Sequence, residues 1–246
     1  MDKLLYIAMT GAKETLRAQA ANNHNLANLS TTGFRADLSA FQSRAVTGAG
    51  YASRVYATDA TVGWDDNAGP MQSTGNPLDI AVQGPGFIAV QGADGKEAYT
   101  RAGDLHVDPT GLLLNGTGHV VLGDGGPISV PPSSSITVAG DGTVSIVPLG
   151  QTPNTIASVG RIKLVNPSAD TLRTGTDALF HLKTGDPAPA DANVKIAAGV
   201  LEGSNVNIAR SMVTMIELAR NFDMQVKAIH SAEENGAAST KILQPS

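Results

Sequence analysis

Two stretches of the chain carry helical periodicity, one at each end, and neither contains a proline. From Asp2 to about Leu29, residues Leu5, Met9, Ala12, Leu16, Gln19, Asn23 and Leu26 recur at steps of four and three, along one face of a helix. The second half of that helix is rich in amides, with Gln19, Asn22, Asn23, Asn25 and Asn28, which gain little from an ordinary core. It therefore needs neighbours that satisfy those groups. Ser30-Thr31-Thr32-Gly33 is expected to end it, with Gly33 in a left-handed closing position. At the other end, from Ala209 to about Glu234, residues Met212, Met215, Ala219, Phe222, Val226 and Ile229 form a seam of the a/d kind. Asn207 or Asn205 is the candidate cap, and Asn235-Gly236 the expected stop.

Between Gly63 and Gly203 the period changes. Short runs such as Leu78–Val82, Gly86–Val90, Lys96–Thr100, Ile136–Val138 and Thr143–Ile146 alternate with turn residues, among them Ala93-Asp94-Gly95 and Gly140-Asp141-Gly142. Alternating runs between Asp-Gly turns predict antiparallel hairpins. Residues 160–165, 178–182 and 194–201 continue the pattern. The stretch Thr47–Thr74 has no firm period and reads as an extended connector or a segment that orders on assembly. The expected fold class is α+β, with N- and C-terminal helices pairing as a coiled coil and a central all-β domain inserted between them. The expected division is 1–35, 36–75, 76–203 and 204–246.

Composition narrows the function. A length of 246 residues supplies one or two domains, and 41% hydrophobic with 16% charged residues describes a globular chain of low charge. The formal net charge of −5 and the lack of a basic stripe argue against a nucleic-acid partner, which needs clustered Lys and Arg. The chain has no cysteine, which excludes disulfides, thiolate metal sites and cysteine nucleophiles. Met1-Asp2-Lys3 leads into an apolar patch broken by Thr10 and Gly11, unlike the apolar core of a cleaved secretory signal, and no run approaches a membrane span. The expectation is a chain that stays in the cytoplasm or leaves without a cleaved signal.

Candidate chemistry is thin. His24, His106, His119, His181 and His230 have no second histidine at ligand spacing, so surface or structurally satisfied roles are expected. His106-Val107-Asp108 runs straight into Pro109-Thr110-Gly111, which favours a hairpin turn over a catalytic pair. Gly123-Asp124-Gly125-Gly126-Pro127 has glycine where a nucleophile elbow needs serine, and Gly84-Pro85-Gly86 lacks phosphate-loop spacing. The Asp-Gly pairs at 94–95, 124–125 and 141–142 do not continue as calcium loops. No catalytic, cofactor or metal residue is assigned, and no small-molecule substrate is expected. The rival from another class, a ligand-binding or hydrolytic β-domain whose helices cover its core, would require convergent polar groups in a pocket.

Ala21-Asn22-Asn23-His24-Asn25-Leu26-Ala27-Asn28-Leu29-Ser30-Thr31-Thr32-Gly33-Phe34-Arg35 resembles the N-terminal signature of bacterial flagellar rod and hook proteins. Gly199-Val200-Leu201-Glu202-Gly203-Ser204-Asn205-Val206-Asn207, continuing through Met212, Met215-Ile216 and Arg220-Asn221-Phe222, is similar to the C-terminal signature. Thr74–Phe87 and Tyr99–Asp104 are similar to the β-domain, so the resemblance covers most of the chain. The N-terminal residues and the Glu202-Gly203-Ser204 form resemble the proximal rod type, with the distal rod type as nearest competitor. His24 and Asn25 read as two residues inserted into the usual signature, a step of about 200° on a helix, so either the helix breaks near Asn22 or its halves present different faces.

The resemblance implies a structural subunit of a helical, tubular rod that transmits torque from motor to hook. Its implied partners are other proximal rod proteins, the distal rod protein FlgG and the flagellar type III export apparatus, with homo- and hetero-oligomers in the rod. Leu5, Met9, Leu16, Asn23 and Leu26 in the first helix, with Met212, Met215, Phe222, Val226 and Ile229 in the second, are the candidate assembly contacts. Terminal helices of marginal stability are expected to stay disordered until neighbours supply apolar surface.

Overall fold

The computed structural model describes residues 3–45, 55–151, 155–175 and 177–243. It divides into two compact units. The first contains helix α1 (Lys3–Ala27), strands β1 (Asp37–Ala45) and β2 (Val55–Trp64), and helix α2 (Ile208–Leu243). The second contains Leu29–Arg35 and Asp65–Asn205.

In the first unit α1 and α2 pack on each other. The buried Asn22 Nδ2 donates to Ser211 O at 2.9 Å, and Gly11 lies against the Gln225 side chain, so the two helices run antiparallel. The buried positions of α1 are Ala8, Gly11, Ala12, Glu14, Thr15, Ala18, Asn22 and Asn25. That stripe is rotated by about one residue from the one expected from Leu5, Met9 and Leu16, and the physical reason is side-chain size. A face of alanine, threonine and glycine lets a second helix backbone approach closely, and the larger side chains are left on the flanks. The stripe continues without interruption through Asn22 and Asn25, so α1 neither breaks at Asn22 nor changes its packed face there.

The helix ends also depart from expectation. Asn207 caps α2, its Oδ1 accepting the Arg210 N–H at 3.0 Å, whereas Asn205 does not cap. The helix then runs through Asn235-Gly236 to Leu243, because one interior glycine costs only about 1 kcal/mol and Ala237-Ala238 follow. Gly33 is left-handed at φ +67° but lies six residues beyond the end of α1, so it serves another purpose.

Much of the expected connector is a ribbon. β1 and β2 pair antiparallel from Asp37↔Trp64 to Ala45↔Val55, with a register shift after Leu38. Residues 46–54 of that stretch lie outside the described residues. The expected division differs from the observed units on both sides of the ribbon, since 29–35 and 65–75 belong with the β unit and 36–64 with the helices.

The β unit follows the hairpin reading closely. Phe87–Gln91 and Glu97–Thr100 pair across Asp94-Gly95, and Ser133–Val138 and Thr143–Pro148 across Asp141-Gly142. Leu105–Val107 and Leu113–Asn115 pair across the Pro109-Thr110-Gly111 turn. One sheet has five strands in the order Leu164–Val165, Phe87–Gln91, Glu97–Thr100, Phe180–Leu182, Leu172–Thr174. Ile80, Ile88, Val90, Leu113, Val121 and Val144 are inaccessible to solvent and form the centre of the core. Branched side chains at alternate strand positions fill such a core well.

Candidate assembly surface and polar junction

The helical unit keeps large apolar side chains in solvent. Met9 is 52% exposed and Leu16 49% on α1, and Met212 is 53%, Ile216 54% and Met224 58% exposed on α2. Of the expected assembly contacts, Met9, Leu16, Asn23 and Met212 point outward. Leu5, Leu26, Met215, Phe222, Val226 and Ile229 are half-buried along the edges of the helix pair. Each of these half-exposed methionines or leucines that became covered would contribute about 1 kcal/mol, and such patches mark interaction surfaces.

The two buried asparagines of α1 find partners within the same unit. Asn22 bonds Ser211 O, and Asn25 bonds the backbone of Asp37 at both ends of its amide, at 2.8 and 2.9 Å. Buried amides satisfied in this way specify one arrangement of helix and strand.

The β unit contains a second feature that periodicity does not reveal. Glu202 is buried between two arginines, with Arg35 Nη2 2.8 Å from its Oε1 and Arg101 Nη1 3.0 Å from its Oε2. All three side chains are almost wholly buried. The Gly69 N–H also donates to Glu202 Oε1 at 3.0 Å. Arg101 donates from Nη2 to Gly84 O at 2.7 Å, and Arg35 donates to Asn67 O. Burial lowers the Arg101 pKa, and the adjacent Glu202 carboxylate opposes that shift. The backbone joins in: Gly33 N–H donates to Glu202 O at 2.7 Å, and Asn205 N–H to Phe34 O at 3.3 Å. Asn205 Nδ2 bonds the carbonyls of Asp65 and Asn67, which explains why Asn205 is not the helix cap.

Four separate chain segments, around Arg35, Asn67, Arg101 and Glu202, are thus joined within one unit, around a charge cluster. Gly33 is required here because a Cβ at that position would lie 2.2 Å from the Arg101 carbonyl carbon. The motif residues Gly33, Arg35 and Glu202 were legible as a family pattern, but their mutual contact was not. Among the described residues, no three of His, Asp and Glu gather as a metal site.

Family models match two parts of the chain. Residues 81–146 match the flagellar hook protein FlgE/F/G D1 domain, and residues 197–242 the flagellar basal body rod FlgEFG protein C-terminal domain. The flagellar basal-body rod protein FlgF of Salmonella typhimurium is 45% identical over 252 aligned residues, covering 100% of both chains. The chain belongs to the flagellar basal-body rod protein family. FlgF of Escherichia coli is 44% identical, again across 100% of both chains. FlgG of Buchnera aphidicola subsp. Schizaphis graminum is 30% identical over 94% of this chain and 95% of its own length. The family places the Arg35–Glu202 contact in context, because the two signature segments at opposite ends of the sequence meet in the β unit.

Proposed function

We propose that this chain is a structural subunit of the proximal flagellar rod, of the FlgF type, which assembles through the outward faces of α1 and α2. The observation that carries this reading is the full-length similarity to FlgF, higher at 45% than the 30% to FlgG. The exposed Met9, Leu16, Met212 and Ile216 supply apolar surface for neighbouring subunits in a helical tube. In that reading the antiparallel helix pair works as a coiled coil in the rod wall. The 3-4 spacing of its buried positions supports this. Proximal rod proteins and FlgG are the neighbours, and the chain reaches the periplasm through the flagellar type III apparatus. No catalytic step is assigned to it.

Deletion of the gene in its own bacterium, followed by motility assays and electron microscopy of isolated basal bodies, tests the proposal. Loss of swimming with rods that stop short supports it, with restoration by the plasmid-borne gene. Motile cells with intact rods overturn it.

A further inference from the structure

A two-stranded ribbon holds marginally in water by itself. β1 gains little from burial, since most of its residues beyond Asp37 are exposed, including Leu38 at 42% and Phe41 at 51%. β2 also lies against α1, and two consecutive residues of α1 hold the β1 strand at its start. Asn25, which is buried, accepts the Asp37 N–H at its Oδ1 and donates from its Nδ2 to Asp37 O. This two-point contact imitates the bonding of a neighbouring strand. His24 takes the side chain of the same residue, with Nδ1 2.8 Å from Asp37 Oδ2. A neutral imidazole carrying its proton on Nδ1 can donate this bond, and a charged one donates it more strongly.

We propose that His24 and Asn25 are positioning residues, a clasp on Asp37 that fixes the direction in which the ribbon leaves α1 before assembly begins. The proposal rests on the assembly reading above. A loose ribbon would have to be ordered each time a subunit docks, and an arm ordered in advance avoids that entropic penalty. The clasp uses both backbone groups and the carboxylate of one residue, so it restrains rotation as well as distance. It also separates two roles within one helix turn, because Asn23 faces solvent while Asn22 and Asn25 are buried.

The test uses the full-length protein, with hydrogen exchange on the purified chain and recovery in basal bodies from cells lacking the chromosomal gene. Asn25→Ala is expected to speed exchange at the Asp37 amide about tenfold, the effect of losing a hydrogen bond or two, without changing exchange in the β unit. Recovery in basal bodies is expected to fall several-fold. Asp37→Ala leaves the backbone contacts intact and removes only the His24 contact, so it covers the case in which Asn25→Ala unfolds α1. His24→Asp and Asp37→His should each reduce recovery, and the double exchange should restore it. Unchanged exchange at Asp37 in Asn25→Ala, or loosened variants recovered like the wild type, would overturn the clasp. If the wild-type chain were itself absent from basal bodies, the assembly reading would fail, and the exchange data would still decide whether the clasp exists.

Discussion

Arg35 and Glu202 lie 167 positions apart in the sequence, yet their side chains meet at 2.8 Å with about 1% of either exposed to solvent. A buried pair of this kind contributes little over a well-packed apolar substitute, because desolvating both charges offsets their attraction. Removing one member is a different matter. Glu202→Gln would leave Arg35 and Arg101 beside each other without the carboxylate between them. A loss of about 3–5 kcal/mol in the β unit is expected, read by urea unfolding, with Arg35→Met in the same range. A loss below about 1 kcal/mol would mean that water already reaches the cluster.

Glycine replacements separate backbone strain from crowding. Gly95 has φ +76° and open space at its Cβ, so Gly95→Ala is expected to cost about 1–2 kcal/mol from the left-handed backbone alone. Gly33 has a similar φ of +67° but would drive its Cβ into the Arg101 carbonyl. Gly33→Ala should therefore be several kcal/mol worse, because backbone on both sides cannot yield. Equal losses in thermal unfolding would contradict the close approach.

Asp108 provides a pH marker for the Pro109-Thr110-Gly111 turn. Its pKa is lowered, chiefly because the Thr110 hydroxyl donates to the carboxylate, with help from the Leu112 and Thr110 N–H groups. A carboxyl depressed by folding stabilises the fold above its unfolded pKa, and that contribution is lost as pH falls through the folded value. The Asp108 titration followed by NMR should thus have its midpoint below the ordinary value of about 3.9. Thr110→Ala should move it upward, and an unchanged midpoint would show that the hydroxyl is not the main cause.

The two units should differ in local stability. The packed stripe of α1 consists of Ala8, Gly11, Ala12 and Ala18 with Glu14, Thr15 and two asparagines, whereas the β unit centres on Ile80, Ile88, Leu113 and Val144. Less apolar area is buried per helix residue, so amides of α1 and α2 should exchange about a hundredfold faster than those of Phe87–Gln91. Equal protection would show that the helix pair needs no neighbours. The expectation that the ends stay disordered until assembly is tested by the same experiment, against a structure in which both helices are formed and packed together.

The strands of the β unit were legible in the sequence because Asp-Gly turns and alternation are local signals. Asp94-Gly95, Asp124-Gly125 and Asp141-Gly142 each join adjacent antiparallel strands. The existence of both helices was legible for the same reason. The packed face of α1 was not, because a pattern that rewards Leu5, Met9 and Leu16 overlooks how closely helices approach over Ala8, Ala12 and Ala18. The ribbon escaped notice because strand β1, Asp-Leu-Ser-Ala-Phe-Gln-Ser-Arg-Ala, shows no strict alternation. The meeting of Arg35, Arg101 and Glu202 is a long-range property that no local window contains.

The central claim is that the outward faces of the terminal helices are covered by neighbouring subunits in the rod. The chain has no cysteine, so a single Met212→Cys gives one reporter, and maleimide labelling can be compared between the purified protein and isolated basal bodies. The account predicts ready labelling of the free chain and labelling at least about tenfold slower in basal bodies from cells that still swim. Equal labelling rates in both would contradict it.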